Sequence, residues 1–365
     1  ILLTVLLDTT IALITSTILI LLVSLLIGND LDFAIVQFFT AFVAILSVRK
    51  LRKRRQIIAT MISLVLCSMF VFFSVMLFKG IDFLDYNYSV VGYLALASFL
   101  SPILSFGLVQ LFESSFGITT DLSLIELLDY DQPLLKKLME DAHGTHTHSV
   151  KVGTLSESCA NAIGARALLC RVGSYYHDIG KIKKPEYYAE NQTGENKHDS
   201  ISAHMSAKIL KQHVTDGLSL ANEYGLPKIV KDFIETHHAK NRMEFFYKKA
   251  IDNSDNPESV DENEFRYPGP KPNTKETGIV MIAEAIEAQA NSIKNPTMEK
   301  FEKMIDEAIK SRLKDGQLDE CPLTMEDLQK IKGRRDGKHG LLPVLSGLYH
   351  SRPEYPDKDD WHKSF

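Results

Sequence analysis

Cysteine is scarce in this chain, and the few positions it occupies exclude two kinds of small stabilised domain. The 365 residues include only four cysteines, and no two of them are spaced as a CxxC pair. This argues against a structural zinc site built on thiolates and against a disulfide framework. Cys159 and Cys170 lie in apolar helical patterns, so we expect them to be small core residues in a reducing compartment.

The sequence also lacks the patterns of strands and of dinucleotide-binding folds. Paired segments of alternating apolar and polar residues do not occur, and no glycine-rich G-x-G-x-x-G segment follows a strand pattern. Apolar residues recur instead at helical spacing along almost the whole chain. The predicted fold class is therefore all-α, with a transmembrane helix bundle followed by an all-helical soluble domain.

Charge is nearly absent from residues 1–112, apart from one basic cluster. Four apolar runs fill this part, most of them near the ~20 residues that cross a bilayer. Because one run follows another, a signal peptide is excluded and a membrane bundle is predicted. The chain begins at Ile1, inside an apolar run, so we expect it to be the C-terminal part of a longer membrane protein. The four runs span residues 9–27, 33–48, 57–78 and 90–111.

The basic cluster at residues 49–55 determines the expected orientation of the membrane part. Its six positive charges lie between the second and third runs, and Lys and Arg concentrate in cytoplasmic loops. Two further crossings return the chain to the same side. We therefore expect a multi-pass cell-membrane protein, in contact with membrane lipid, whose soluble domain is cytoplasmic. A basic run can also form a solvated loop or a nucleic-acid patch, but its place between two spans favours the topological interpretation, so no DNA or RNA partner is predicted.

The remaining chain divides into amphipathic connecting helices at residues 113–143 and a soluble domain at residues 144–355. A threonine of the pair Thr119 and Thr120 is expected to cap one connecting helix, and Pro133 to open the next. Two roles fit the connecting segment equally well from its pattern. It either transmits a change in the membrane bundle or forms a passive linker packed on the soluble domain.

Histidine is concentrated in one region, because nine of the twelve histidines lie between His143 and His238. A single histidine on an apolar helix face is usually a core residue bonded to a carbonyl. Five such histidines and an aspartate converging from several helices would cost several kcal/mol in desolvation without a shared partner. Metal ions are the expected partner. The residues at these positions are His148, His177, Asp178, His213, His237 and His238.

The donor types narrow the kind of metal centre. Imidazole nitrogen and carboxylate oxygen, without thiolate, suit iron, manganese or zinc. Asp178 can bridge two ions while its neighbour His177 binds one, and so many ligands exceed the needs of one tetrahedral zinc. Two ions roughly 3.5–4 Å apart form a clamp for in-line displacement at phosphorus, with a hydroxide as the expected nucleophile. Lys181, close after Asp178, either adds positive charge at the phosphate or is a solvated surface lysine.

Ordered motifs around these residues resemble one family. Residues 173–181 read G-S-Y-Y-H-D-I-G-K, and residues 144–149 read G-T-H-T-H-S. E-N-Q at 190–192, H-V-T-D-G at 213–217 and Y-P-G-P-K-P at 267–272 follow in order. This set resembles the HD superfamily of metal-dependent phosphohydrolases, and more closely the seven-transmembrane HD family of PgpH-type cyclic di-AMP phosphodiesterases.

The resemblance implies an all-helical HD phosphohydrolase domain with two divalent ions, manganese or iron. It also implies hydrolysis of cyclic di-AMP to pApA, and a missing N-terminal part with further membrane helices and an extracellular sensing domain. Glu284 takes the place of the last metal ligand, where the family usually has aspartate, and catalysis is expected to survive this change. The sequence leaves a homodimer open. Candidate contacts to the adenine rings are Arg171, Tyr176 and Asn191.

Two other functions remain as alternatives. One is a nucleotide phosphohydrolase acting on dNTPs or (p)ppGpp, against which the membrane tether and the family motifs argue. The other is a receptor whose inactive HD site only senses a nucleotide, against which the intact His/Asp set argues. The cyclic di-GMP branch of HD enzymes carries G-Y-P after its paired histidines, whereas A-K-N-R-M-E follows His238 here.

Overall fold

The computed structural model describes residues 1–49, 51, 55–81, 88–293 and 296–349. Most of the basic cluster that carries the orientation prediction therefore lies outside the described residues. Within them the chain is helical and contains no strand; the sole isolated bridge there joins Arg242 and Arg266. The all-α prediction is confirmed. The chain forms two compact units, residues 1–126 and 127–365, and the three-part domain division stays a prediction.

Four long apolar helices make up most of the first unit, and their bounds follow the predicted apolar runs. Each of the four is long and apolar enough to cross a bilayer. Many of their large apolar side chains are exposed, as expected of a surface that faces lipid. The helices are α1 (Leu2–Leu6), α2 (Thr9–Leu26), α3 (Leu31–Val48), α4 (Arg55–Phe78), α5 (Tyr88–Phe116) and α6 (Asp121–Glu126), of which α2 to α5 are the long ones.

Side-chain caps explain where several of these helices begin. Asp8 accepts hydrogen bonds from the backbone N–H groups of Thr10 and Ile11 at the start of α2. Thr120, one of the two threonines that the sequence offers as a cap, accepts one from the N–H of Ser123 at the start of α6. Helix α5 extends past the apolar run and ends before Gly117, which adopts a positive φ of 64°.

The second unit is a helical domain, and it contains all the predicted metal ligands. Helix α9 packs against α8, α11 and α13, so the four helices share one core. The close approach of α9 to α11 needs Gly173, because a Cβ there would lie 2.4 Å from the Phe233 ring. The helices are α7 (Pro133–Asp141), α8 (His143–Ile163), α9 (Ala167–Tyr176), α10 (Ala203–Glu223), α11 (Lys228–Thr236), α12 (Glu244–Asp252), α13 (Lys275–Ala290), α14 (Met298–Lys314), α15 (Met325–Lys332) and α16 (Leu341–Leu348).

The predicted start of one helix is confirmed, because Pro133 is the first residue of α7. Gly164 ends α8 in the left-handed conformation, and Pro227 is the N-cap of α11. Helix α9 ends at Tyr176, and the chain then turns into a 3₁₀ segment at Ile179–Lys183.

Candidate metal centre

The break between α9 and the 3₁₀ segment places His177 and Asp178 side by side at the centre of the domain. Both side chains are fully buried. Asp178 has φ −110° and ψ 14°, close to a sparsely populated backbone region in which active-site residues often lie. The local turn thus points two adjacent polar side chains into the core, which a continuous helix would not do.

The structure brings all seven predicted ligands together in two groups that share Asp178. Within each group one potential ligand atom from every residue lies within 4.8 Å of the others. These are the two groups of this kind among the described residues. The first group is His148, His177, Asp178 and Glu284, and the second is Asp178, His213, His237 and His238.

The two oxygens of Asp178 face different groups. Its Oδ2 lies 3.3 Å from His177 Nε2, while its Oδ1 lies 3.4 Å from His213 Nε2 and 3.5 Å from His237 Nε2. Glu284 completes the first group, with its Oε2 at 2.6 Å from His148 Nε2 and 3.1 Å from His177 Nε2. Asp178 therefore contributes one oxygen to each group.

Backbone carbonyls determine which ring nitrogen of three histidines carries the proton. The Nδ1 of His177 bonds to the Ser174 carbonyl at 2.6 Å, and the Nδ1 of His237 bonds to the Ile234 carbonyl at 2.9 Å. His213 Nδ1 bonds in the same way to the carbonyl of Leu210. In the neutral rings each Nε2 is then left with a lone pair that points into the site, which is the form that binds metal.

Two of these lone pairs face each other. His213 Nε2 and His237 Nε2 are 3.1 Å apart, and burial chiefly lowers the pKa of His213 to about 3. A neutral His213 whose proton is on Nδ1 cannot donate a hydrogen bond across this gap. A cation bound to both nitrogens removes the conflict, so the donor set fits a metal ion.

Asp178 has unsatisfied bonding capacity for such an ion. Neither of its buried oxygens accepts a well-directed hydrogen bond from the described residues, and the ion pair with Lys181 Nζ, at 2.7 Å, engages only Oδ2. Burial by itself would raise the pKa of this carboxyl, but Lys181 and His177 outweigh burial and hold the pKa well below its usual range. A fully buried, ionised carboxylate with one lysine partner keeps an oxygen that can bind a further cation.

Glu287 supports the first group from behind. Its Oε2 lies 2.5 Å from His148 Nδ1, on the side of the ring away from Glu284. Its Oε1 accepts a hydrogen bond from Tyr349 at 2.9 Å. A carboxylate that holds the second nitrogen of a metal-binding imidazole sets the ring's orientation and basicity. The sequence interpretation missed Glu287, although it lies one helical turn after Glu284 on α13.

Replacing Glu287 with glutamine is expected to weaken metal binding at the first group about 10- to 100-fold. The amide of glutamine is neutral, so it is a weaker hydrogen-bond acceptor for the His148 ring than the carboxylate. The orientation of the ring is then less fixed, and its Nε2 is less basic. Titration of metal-free protein with Mn²⁺ measures the effect. Glu223→Gln, at an exposed position of α10, is the matched control; equal affinities for the two variants would rule out this role for Glu287.

Lys181 is buried, so it is not the solvated surface lysine that one interpretation allowed. Its Nζ lies 2.7 Å from Asp178 Oδ2 and 2.8 Å from Glu190 Oε1. Thr145 donates a hydrogen bond to the same Glu190 oxygen and exchanges two more with Asn191. These bonds connect the E-N-Q motif to α8 and hold Lys181 beside Asp178.

The three candidate adenine contacts have other partners. Tyr176 is fully buried and its hydroxyl donates to the Leu127 carbonyl at 2.8 Å. Arg171 pairs with Glu157 at 3.1 Å, on a different face of α9 from His177. Asn191 is bonded to Thr145 through both atoms of its amide group. These positions argue against a role for Tyr176 and Arg171 in binding adenine. The hydrogen bonds of Asn191 instead connect its loop to α8.

A cavity of about 590 Å³ opens beside the metal ligands. His237, His238 and Glu284 line it together with Tyr267 and the C-terminal end of α14. The Tyr267 ring stacks on His238, with 4.2 Å between ring centroids. The volume of the cavity lies within the usual range for small-molecule sites. The sequence interpretation quoted the Y-P-G-P-K-P motif without assigning Tyr267 to the site.

Comparison with known proteins agrees with this architecture. Residues 1–120 match a family described as 7TM receptor with intracellular HD hydrolase, and residues 145–289 match the HD domain. The cyclic-di-AMP phosphodiesterase PgpH of Bacillus subtilis is 42% identical over 72% of the chain, and that of Listeria monocytogenes is 41% identical over 74%. The chain spans about a third of the length of these relatives, 36% of each.

Solved structures give the same result for the soluble domain. The crystal structure of the L. monocytogenes PgpH HD domain in complex with cyclic-di-AMP is 40% identical, with a TM-score of 0.56. The match covers 61% of this chain and all of that one. A second crystal structure, of the PgpH HD domain, matches with a TM-score of 0.55.

The all-α domain and its buried His/Asp/Glu set, joined to four membrane-length helices, define a membrane protein with a metal-dependent HD hydrolase domain. Within that class, the chain belongs to the seven-transmembrane HD family that includes the PgpH phosphodiesterases.

Proposed function

We propose that this chain is the catalytic part of a membrane-anchored phosphodiesterase that hydrolyses cyclic di-AMP to pApA. The observation that carries the proposal is the pair of ligand groups that share Asp178, since two adjacent cation sites suit displacement at phosphorus. Two relatives named cyclic-di-AMP phosphodiesterase, at 42% and 41% identity, support the choice of substrate.

The site suits two divalent ions, which we propose to be manganese or iron. His148, His177, Asp178 and Glu284 would hold one, and Asp178 with His213, His237 and His238 the other. Such ions supply positive charge to a phosphoryl group and lower the pKa of a bound water. The donor set of nitrogen and oxygen without thiolate supports this choice but does not select between the two metals.

The protein's own groups have three tasks in this proposal. Asp178 keeps the two ligand groups at a short separation, and its low pKa keeps it ionised. The carbonyls that bond the Nδ1 atoms hold the imidazoles in their binding tautomer. Lys181, ion-paired with Asp178 and Glu190, is the lysine that we propose to stabilise negative charge on the phosphate.

We propose that the HD domain lies on the cytoplasmic side of the cell membrane. The six positive charges at residues 49–55, between two membrane-length helices, support this orientation. The organisation into residues 1–112, 113–143 and 144–355 belongs to the same proposal. So does the expectation that further membrane helices and an extracellular sensing domain precede this chain, since it spans 36% of its relatives.

One experiment tests this function against its alternatives. The full chain in detergent micelles is incubated with Mn²⁺ and cyclic di-AMP, and the products and the bound metal are measured on the same sample. We expect pApA and two metal ions per chain. Tight binding of cyclic di-AMP without pApA would instead indicate a sensor, and cleavage restricted to dNTPs or (p)ppGpp would indicate a nucleotide phosphohydrolase.

The glutamate at position 284 is expected to bind metal as well as the family's usual aspartate. The Oε2 of Glu284 lies within hydrogen-bond distance of both His148 and His177, so its extra methylene does not remove it from the site. Glu284→Asp should therefore hold the same two ions per chain as the unchanged protein, as determined by elemental analysis. One ion in the unchanged protein and two in Glu284→Asp would contradict this prediction.

A further inference from the structure

The cavity beside the metal ligands contains a cationic side chain that the proposed reaction at the metals does not use. Arg312 lies near the end of α14, the helix that packs on α13, which carries Glu284. Arg312 lines the same cavity as His237, His238 and Glu284. One cavity thus contains the predicted metal ligands and a guanidinium.

Arg312 makes no ion pair within 4.0 Å among the described residues, although the carboxylates of Glu284 and Asp315 interact with it electrostatically at longer range. Its single hydrogen bond there runs from Nη1 to the carbonyl of Ala308, at 3.2 Å. Its Nε is shielded from solvent and has no partner. Burial lowers the pKa of the guanidinium, but an arginine stays protonated at physiological pH. The guanidinium therefore keeps N–H donors that no described acceptor satisfies, and an arginine side chain can offer two such donors in parallel to an oxyanion.

The two other arginines that line the cavity are ion-paired with carboxylates of the protein, whereas Arg312 has no such ion pair among the residues that the structure describes. Arg242 is ion-paired with Glu244 at 2.6 Å and Glu262 at 2.7 Å. Arg266 is ion-paired with Glu262 at 2.6 Å and Asp315 at 2.9 Å. Their charges are compensated within the protein, so Arg312 is the cavity's arginine that is free for a ligand anion within the described part of the chain.

We propose that Arg312 binds the phosphodiester of a cyclic dinucleotide that is not being cleaved. This inference rests on the proposed function, in which the metals take one of the two phosphodiesters of the substrate. The second phosphodiester of the same ring needs its own cationic partner in this cavity. Arg312 would then select ligands with two phosphates over simple phosphodiesters, without taking part in bond cleavage.

The test compares two substrates on the full chain with Mn²⁺ in detergent micelles. Cyclic di-AMP carries two phosphodiesters, whereas bis(4-nitrophenyl) phosphate carries one. We expect Arg312→Gln to lower the ratio of kcat/KM for cyclic di-AMP to that for bis(4-nitrophenyl) phosphate about 10- to 100-fold, mainly through KM. Arg312→Lys keeps the positive charge but loses the two parallel donors of the guanidinium. Its ratio should therefore lie between that of the unchanged protein and that of Arg312→Gln.

Lys310→Gln is the matched control, because it removes one positive charge from an exposed position of the same helix. Its ratio should equal that of the unchanged protein. Equal losses on both substrates in Arg312→Gln would indicate a structural role and overturn the proposal, as would an unaltered ratio. Metal content and thermal unfolding of each variant show whether the site is intact.

A failure of the proposed function gives a different result. The unchanged protein would then cleave bis(4-nitrophenyl) phosphate but not cyclic di-AMP. In that case the role of Arg312 is tested by measuring how strongly cyclic di-AMP inhibits the cleavage of bis(4-nitrophenyl) phosphate. A raised inhibition constant in Arg312→Gln, with no matching change for AMP, would still support the role of Arg312. Absence of inhibition in the unchanged protein would overturn it.

Discussion

Replacing Asp178 with alanine is expected to abolish hydrolysis, with a fall in kcat/KM of at least about 10³-fold. Asp178 is the residue shared by both ligand groups, so its loss affects two cation sites at once. The metal ions of such centres are worth several kcal/mol of transition-state stabilisation, which corresponds to a factor of this size. Replacing His177 as well should add little, because the site is already disrupted. Rates and bound metal are measured on the same preparation.

The helices should stay folded in this variant, since the buried Lys181 keeps its ion pair with Glu190 and the desolvation cost of the Asp178 carboxylate is removed. Asp252→Ala, at the exposed end of α12, is the control and should keep the rate and metal content of the unchanged protein. Hydrolysis near the unchanged rate by the double variant at positions 177 and 178 would show that the two-metal assignment is wrong.

Replacing Gly180 with alanine is expected to destabilise the domain by about 3 kcal/mol and to remove metal from the second group. A Cβ at this position would lie 1.8 Å from the carbonyl oxygen of His213 and 2.5 Å from the backbone nitrogen of Gly217. Both contacts are with backbone, so no side-chain rotation can relieve them. The 3₁₀ segment and α10 must separate, and His213 moves away from Asp178.

Thermal unfolding and elemental analysis measure the two effects. For a domain of this size we expect the Tm to fall by about 5–10 °C, and the metal content to fall below two per chain. Gly194→Ala is a suitable control, because a Cβ there meets nothing within 4 Å. If Gly180→Ala had the same Tm and metal content as Gly194→Ala, α10 would not pack as closely against the 3₁₀ segment as this prediction requires.

Local patterns of the sequence predicted the helices and marked the residues that the structure brings together in two groups, for a physical reason. An apolar face repeats every 3.6 residues, so a histidine or carboxylate at the end of such a face is marked before any tertiary contact is known. His213, one turn after Ile209, and His237, one turn after Phe233, are found in this way. Glu284 could be identified as a candidate ligand only through the family motif. Helical periodicity does not distinguish a buried acid with a function from any other polar residue in an apolar helix.

The same patterns were least informative about partners that are distant along the chain. Tyr176 was a candidate contact to the adenine rings, and its hydroxyl bonds to the Leu127 carbonyl. Glu287 approaches His148 across 139 positions of sequence. Arg312 is one of several basic residues on α14, and nothing in its spacing distinguishes it from Lys310. Such pairings depend on how the helices pack against each other, which periodicity does not encode.

The sequence by itself thus determined the all-α class, the four membrane-length segments and the ligand types around His177 and Asp178. Helical periodicity and the donor chemistry of His, Asp and Glu are properties of short segments and single residues, which explains why they could be recognised. The tertiary structure alone decided that the ligands divide into two groups around the two oxygens of Asp178. It also placed Arg312 without a carboxylate partner among the described residues of the cavity. Both results depend on the packing of α9, α10, α11, α13 and α14, because helices distant in sequence bring these side chains together.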